Sequence, residues 1–251
     1  MSDNIAYSSD QIVRYFAQNR VSWSQFYESE RVIIERLGLG PEHTVLDIGC
    51  GCGGLGLALH DRFGVVKYTG VEINRQAAEA AGKMNSRARI YCGDVLALRQ
   101  KELRFQRFDV VFSLSCVDWN VRFADMLNAA WEFIRPGGHL VATFRLTDGE
   151  GCNDRHRSYQ YINFAGIREG EVASYVVLNA RDLMLTLRRF YPTAIDGFGY
   201  WGAPSASAVT PYERLCFCAI SVRKRDGEAG DLRLTLDLPS EIRDSIQTPE
   251  Q

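Results

Sequence analysis

Between residues 42 and 146 short apolar runs alternate with helix-length amphipathic stretches. The strand-like runs are "TVLDIG", "YTGVEI", "RIYCGD", "FDVVFSL" and "HLVATF"; between them lie "LGLALHDRF", "RQAAEAAGKM" and "RFADMLNAAWEFI". Strands that alternate with helices predict crossover connections and a parallel sheet covered on both faces. The fold class expected is α/β, a doubly wound, seven-stranded Rossmann-like sheet. Upstream, over residues 9–37, Ile12, Tyr15, Phe16, Trp23, Phe26, Tyr27, Val32 and Ile33 recur at helical spacing, which predicts two helices split near Asn19. "RPGG" at 135–138 is expected to stop a helix through Pro136 and to supply two glycines before the fifth strand.

After that strand the pattern breaks. Residues 147–179 are polar and aromatic with no helical period, and read as an insertion over one edge of the sheet; long irregular insertions are more often lids than filler. "ARDLMLTLRRF" resumes as a helix capped by Asn179, and "RLCFCAISVRK" is the final core strand. The alternation in "LRLTLDLP" predicts one edge strand, which either pairs with a second subunit or folds back on its own sheet. The expected divisions are a helical lid (1–40), a catalytic domain (41–225) and a polar tail (226–251).

The loop "VLDIGCGCGG" ends the first strand. Gly49, Gly51 and Gly54 satisfy Gly-x-Gly-x-x-Gly, the dinucleotide pattern of nicotinamide-dependent oxidoreductases. Asp47 argues otherwise, because a carboxylate there repels a pyrophosphate on the following helix N-terminus and attracts a cation. Glu72 ends the second strand, where an acid accepts ribose hydroxyls, and Asp94 ends the third, where a carboxylate accepts from an adenine amino group. Three acids at successive strand ends describe a nucleoside joined to a cation. Simple turn glycines, a helix-capping acid and a Gly-Asp turn are the plainer readings of the same residues.

"VLDIGCGCGG", "GVEIN", "CGDV", "FDVVFSLSCVDW" and "IRPGGHLVATF", in that order, resemble the class I S-adenosylmethionine-dependent methyltransferases over about residues 42–146. The resemblance implies S-adenosylmethionine as cofactor, with Gly49, Cys50 and Gly51 beside its methionine portion. It places Glu72 at the ribose, with Ile73 also at the cofactor, Asp94 and the Val95 amide at adenine, and Ser115 and Cys116 on the reacting side. The chain's ends, including "SYQYINF", resemble more loosely the methyltransferases encoded among cell-surface polysaccharide genes.

Methyl transfer from a sulfonium is an in-line displacement, so positioning of the acceptor is the main task and a base is optional. "SCVDWN" follows strand four, where an acceptor approaches, which nominates Asp118 for catalysis and Trp119 as a wall. The Asn/Asp-Pro-Pro-aromatic sequence of methyltransferases acting on adenine or amide nitrogen is missing there. His156 is a candidate base, flanked by Arg155 and Arg157 for an anionic acceptor, and Tyr159 with Tyr161 forms an aromatic face. Tyr15, Arg20 or Trp23 would close over the methionine end.

Charge narrows the partners. With 31 acids and 29 bases there is no basic footprint for nucleic acid or an anionic membrane. Seven cysteines, an odd number, and no long apolar run at the N-terminus point to a reducing cytoplasm. Cys50-x-Cys52 and Cys216-x-Cys218 lack the spacing and histidine partners of zinc sites, so no metal is expected. The expectation is O- or N-methylation of a small-molecule or glycan acceptor; an oxidoreductase and a non-catalytic cofactor-binding domain are the alternatives.

Overall fold

The computed structural model describes residues 13, 16–99, 101–163, 165–227 and 230–247. β1 (Thr44–Ile48), β2 (Lys67–Glu72), β3 (Arg89–Cys92), β4 (Phe108–Ser113) and β5 (Ile134–Thr147) run parallel in the spatial order β3-β2-β1-β4-β5. β4 is buried along its whole length and β1 along all but its first residue, as strands covered on both faces should be. The chain moves outward from β1 to β3 and returns to β4, so the order of strand addition reverses between the parallel neighbours β1 and β4. Such a switch point opens a crevice at the carboxyl ends of the strands.

Local sequence sets the connections. α2 (Gly54–Phe63) follows β1 and stops at Gly64, whose φ of 73° is left-handed. α3 (Arg75–Met84) follows β2 and is capped by Asn74, whose side chain accepts from the Ala77 amide. The four-residue α4 (Val95–Leu98) follows β3, and α5 (Phe123–Glu132) precedes β5. α5 has already ended at Glu132, so Pro136 is not its stop signal: "RPGG" lies inside β5. Gly138 has another reason to be glycine, since a Cβ there would sit 2.6 Å from the Asp109 carbonyl oxygen.

Beyond β5 the sheet continues antiparallel. β11 (Leu215–Arg223) pairs with β5 and with β9 (Ala194–Gly202). The sheet has nine strands where the sequence predicts seven. The strands that no apolar run marked are β8 (Leu178–Asn179), which pairs with the end of β5, and β9; β12 (Arg233–Asp237), parallel to β9 at the sheet edge, is the expected edge strand. The alternating tail thus folds back on its own sheet, and α7 (Ser240–Gln247) buries Ile242 and Ile246 in the same core as α6 (Ala180–Arg188).

The insertion after β5 is ordered into a cap. β6 (Tyr159–Tyr161), β7 (Val172–Ser174) and β10 (Ala208–Val209) form a separate antiparallel sheet. It is tied to the main sheet by the Val176 amide, which donates to the Asp118 carbonyl at 3.1 Å. At the N-terminus, helical backbone at 16–18 and a bend at 19–20 precede a 3₁₀ turn (Trp23–Gln25) and α1 (Glu28–Arg36). The second expected helix is therefore broken: Phe26 and Tyr27 are extended, and Glu30 accepts from the Tyr27 amide at 2.9 Å to start α1. Among the described residues no helix is long and apolar enough to cross a membrane.

Candidate active site

The crevice is a cavity of about 730 Å³ that runs from the loop after β1 to the underside of the cap. Gly49 and Gly51 have φ of 76° and 54°. A Cβ on Gly49 would lie 2.6 Å from Cys116 Sγ, so only glycine lets the loops after β1 and β4 approach. A Cβ on Gly54 would collide with the Arg20 carbonyl oxygen. The third glycine of the pattern therefore seats the N-terminal segment rather than a phosphate.

The acids at the first two strand ends are buried. Glu72 accepts from the Gly51 amide at 2.9 Å and the Asn74 amide at 2.8 Å, and burial still pushes its carboxyl up. Asp47 accepts from the Tyr68 hydroxyl at 2.6 Å, and burial pushes its carboxyl up to about 7, with the Tyr68 bond and Arg20 opposing. A half-protonated buried carboxyl facing a cavity is a site that a cation would stabilise. Asp94 accepts from the Leu96 amide as the cap of α4 and also borders the cavity, so the capping and ligand-facing readings coexist. Ser115 has a φ of 49° and donates its amide to Thr143 Oγ1 at 2.7 Å.

The other end of the cavity is a polar aromatic chamber built around Arg145 of β5. Its guanidinium donates to the Asp118 carbonyl at 2.8 Å and lies 3.2 Å from Asp118 Oδ2. The Tyr175 ring is 3.8 Å and the Trp119 ring 4.8 Å from the guanidinium carbon. Burial raises the Asp118 carboxyl and Arg145 opposes the rise. Beside the chamber, Arg20, at a left-handed φ of 67°, donates to buried Glu30 at 2.8 Å.

Asp47, Gly49, Cys50, Gly51, Glu72, Ile73, Asp94, Val95, Ser115, Asp118, Trp119 and Tyr161 all border this cavity. Several expectations are corrected by geometry. His156 and Arg155 are exposed on a turn away from the cavity, where the His156 amide donates to Asp154, so the turn chemistry of 154–157 accounts for them. Tyr159 stacks edge-on against Tyr161 at 5.7 Å but does not reach the cavity. Trp23 packs on Phe63 at 5.2 Å and belongs to the core. Tyr15 lies outside the described residues.

Arg145, Tyr175 and Glu30 were not singled out by sequence. A charge inside the apolar run "HLVATFRLT" was the one signal for Arg145. Cys216 and Cys218 are buried in the core, and no group of three or more metal-ligating side chains gathers among the described residues.

A family model described as a methyltransferase domain matches residues 46–140. The 24-methylenesterol C-methyltransferase 2 of Oryza sativa subsp. japonica is 28% identical over 147 residues, 57% of this chain and 39% of that protein. The chain thus spans well under half the length of this curated relative. Among solved structures, the Burkholderia thailandensis 1,6-didemethyltoxoflavin-N1-methyltransferase, bound to its acceptor and S-adenosylhomocysteine, has a TM-score of 0.51 at 21% identity, over 86% of this chain and 80% of that one. The Haemonchus contortus phosphoethanolamine N-methyltransferase 2 in complex with S-adenosylmethionine has a TM-score of 0.55 at 15% identity, over 81% and 53%. Residues 46–140 thus match a methyltransferase domain, and the chain shares its fold with methyltransferases solved with S-adenosylhomocysteine or S-adenosylmethionine bound.

Proposed function

We propose that the protein transfers the methyl group of S-adenosylmethionine to oxygen or nitrogen of a small-molecule or glycan acceptor by in-line displacement. One observation carries this reading: a single cavity connects the acid-lined glycine loop to a separate polar aromatic chamber under the cap. Two molecules can therefore meet at the carboxyl edge of the sheet with water held out. The glycine loop fits the cofactor, because positive-φ glycines leave the backbone open and buried Asp47 favours a cationic ligand over a pyrophosphate.

Asp47, Gly49, Cys50 and Gly51 hold the methionine portion in this reading. Glu72 and Ile73 hold the ribose, Asp94 and Val95 the adenine, and Ser115 the reacting side. Bound there, the sulfonium supplies an activated methyl group and a neutral leaving group. The chain's own residues supply orientation: Asp118, Trp119 and Tyr161 wall the acceptor, and the N-terminal segment from Phe16 to Arg20 covers the opening. Relatives whose names print a sterol, phosphoethanolamine or toxoflavin precursor act on small molecules, in keeping with a cavity of this size.

Calorimetric titration with S-adenosylmethionine, S-adenosylhomocysteine and NADH tests the reading, followed by labelled-methyl transfer to sugar and amine acceptors. Binding of the first two, with no NADH binding, is expected. NADH binding alone would return the loop to the dinucleotide class, and cofactor binding without transfer to any acceptor would leave a non-catalytic binding domain.

A further inference from the structure

Three buried side-chain atoms of residues lining the cavity have no hydrogen-bond partner: Arg20 Nη1, Asp118 Oδ1 and Trp119 Nε1, the last two on neighbouring residues of the chamber. Buried polar groups are almost always paired, and an orphan acceptor and an orphan donor on successive residues lining one cavity describe what a ligand there must bring. Asp118 Oδ1 lacks a donor; Trp119 Nε1 lacks an acceptor. An ammonium group offers three donors and no acceptor, so it could satisfy only the first. A molecule with adjacent oxygens satisfies both.

Charge points the same way. Arg145 from β5 already balances the Asp118 carboxylate at 3.2 Å. The other groups facing Asp118 are Tyr175 of the cap, Cys116 of its own loop, Cys218 of β11 and the Arg20–Glu30 ion pair. That surround leaves no uncompensated negative charge to select a cation. We propose that Asp118 Oδ1 receives the O–H of an alcohol acceptor while Trp119 Nε1 donates to a neighbouring oxygen of the same molecule, so that the substrates are polyhydroxylated and are methylated on oxygen. This assignment rests on the methyl-transfer reading above.

The step balances. The acceptor oxygen forms its new bond to carbon as the carbon–sulfur bond breaks with its electron pair left on sulfur, and the hydroxyl proton passes to Asp118 Oδ1, which becomes a neutral acid. Burial, by raising the carboxyl above its usual range, makes the ionised form a better proton acceptor. Arg145 is a positioning residue. It holds the Asp118 backbone carbonyl and carboxylate together and opposes the rise that burial imposes on the carboxyl, while the Tyr175 and Trp119 rings fix the guanidinium.

The test uses tritiated-methyl S-adenosylmethionine with two matched acceptor sets. One contains monosaccharides and inositols bearing only hydroxyls; the other contains the corresponding amino sugars with ethanolamine. Label is expected in the first set. Asp118→Asn should lower kcat by about a hundredfold, the low end for a lost general base, while KM and S-adenosylhomocysteine binding stay within about threefold. Trp119→Phe should raise KM more than it lowers kcat. Arg145→Lys should move the acid limb of the kcat/KM profile to higher pH, a shift that a purely structural role would not produce.

Label in the amine set alone, or in neither set while S-adenosylhomocysteine binds, overturns the acceptor class. An Asp118→Asn enzyme within about threefold of wild type, or an acid limb unmoved in Arg145→Lys, overturns the assignment of the base. Should Asp118→Asn fail to bind S-adenosylhomocysteine, Trp119→Phe and Arg145→Lys carry the test. Failure of the wild-type protein to bind S-adenosylmethionine would instead defeat the methyl-transfer reading, and calorimetry separates the two failures.

Discussion

Cofactor binding should release a proton from Asp47. Its carboxyl is buried, held by the Tyr68 hydroxyl at 2.6 Å, and raised to about 7. A cation seated beside it favours the ionised form, so ligand binding and deprotonation are linked. If the complex holds the carboxyl well below 6, the apparent Kd scales as one plus the ratio of protonated to ionised Asp47 in the free protein. That factor is about 11 at pH 6 and about 1.3 at pH 7.5, so S-adenosylmethionine should bind about eightfold more weakly at pH 6, equivalent to about 1.3 kcal/mol. The window stops below the titration of the ligand's own α-amine, near 7.7–8.0 for such groups. Calorimetry at pH 6 in buffers of different ionisation enthalpy should report about 0.9 proton released per site. Asp47→Asn should abolish both the slope and the proton. S-adenosylhomocysteine locates the cation: the same slope means that Asp47 faces the shared ammonium, and a flat response means that it faces the sulfonium. A Kd constant within about twofold between pH 6 and 7.5, with no buffer dependence, would refute the link between Asp47 and the cofactor.

Glu72→Ala should weaken S-adenosylmethionine binding by at least about 1.5 kcal/mol, the lower range for a charge-assisted hydrogen bond, and calorimetry at pH 7.5 checks it. Gly49→Ala should abolish cofactor binding while the fold persists, because its φ is 76° and the added carbon meets Cys116 Sγ; wild-type affinity in this variant would deny the close approach. His139 gives a stability prediction. Burial, with Arg223 adding to it, depresses the imidazole to about 4, so the neutral form is the folded one. Its contribution is complete above about 6.5 and is lost as pH falls towards 4, a change of at most about 3 kcal/mol. Urea titrations of His139→Gln should lack this acid limb. Asp47 acts with the opposite sign, since its raised carboxyl disfavours the folded state as pH climbs from about 4 to 7, so Asp47→Asn should steepen the net rise of stability with pH.

What the sequence made legible was what depends on local order. Period and apolar runs predict β1 to β5, α2, α3, α5, α6 and β11, because each is decided by its own residues and by burial on a recognisable face. The loop after β1 and the acids at 47, 72 and 94 were legible for the same reason: a strand, its end and the turn that follows are contiguous. The polar aromatic chamber was not. Its centre, Arg145, is specified by partners that are remote in the chain, the Asp118 carbonyl, the Val176 carbonyl and the rings of Trp119 and Tyr175. His156 illustrates the converse. It combined a suitable side chain with suitable neighbours, but its amide is used by Asp154 in a turn that aims the segment at solvent.

The same contrast explains how the cap can serve the site. Glu30 begins α1 by accepting from the Tyr27 amide and simultaneously holds Arg20, whose carbonyl sits over Gly54. Arg145 in turn donates to the Asp118 carbonyl and points at Val176, the residue where the insertion rejoins the sheet. Each covering element is thus held by an ion pair, part-buried for Arg20–Glu30 and buried for Arg145–Asp118, whose members also bond backbone groups beside the cavity. Hydrophobic packing alone would let these segments slide. A buried pair that also satisfies named carbonyls and amides allows one placement, because any slip strands a charge away from water. The segment over the glycine-loop end and the cap over the aromatic chamber are therefore separately pinned, which suits the two-ligand reaction proposed above.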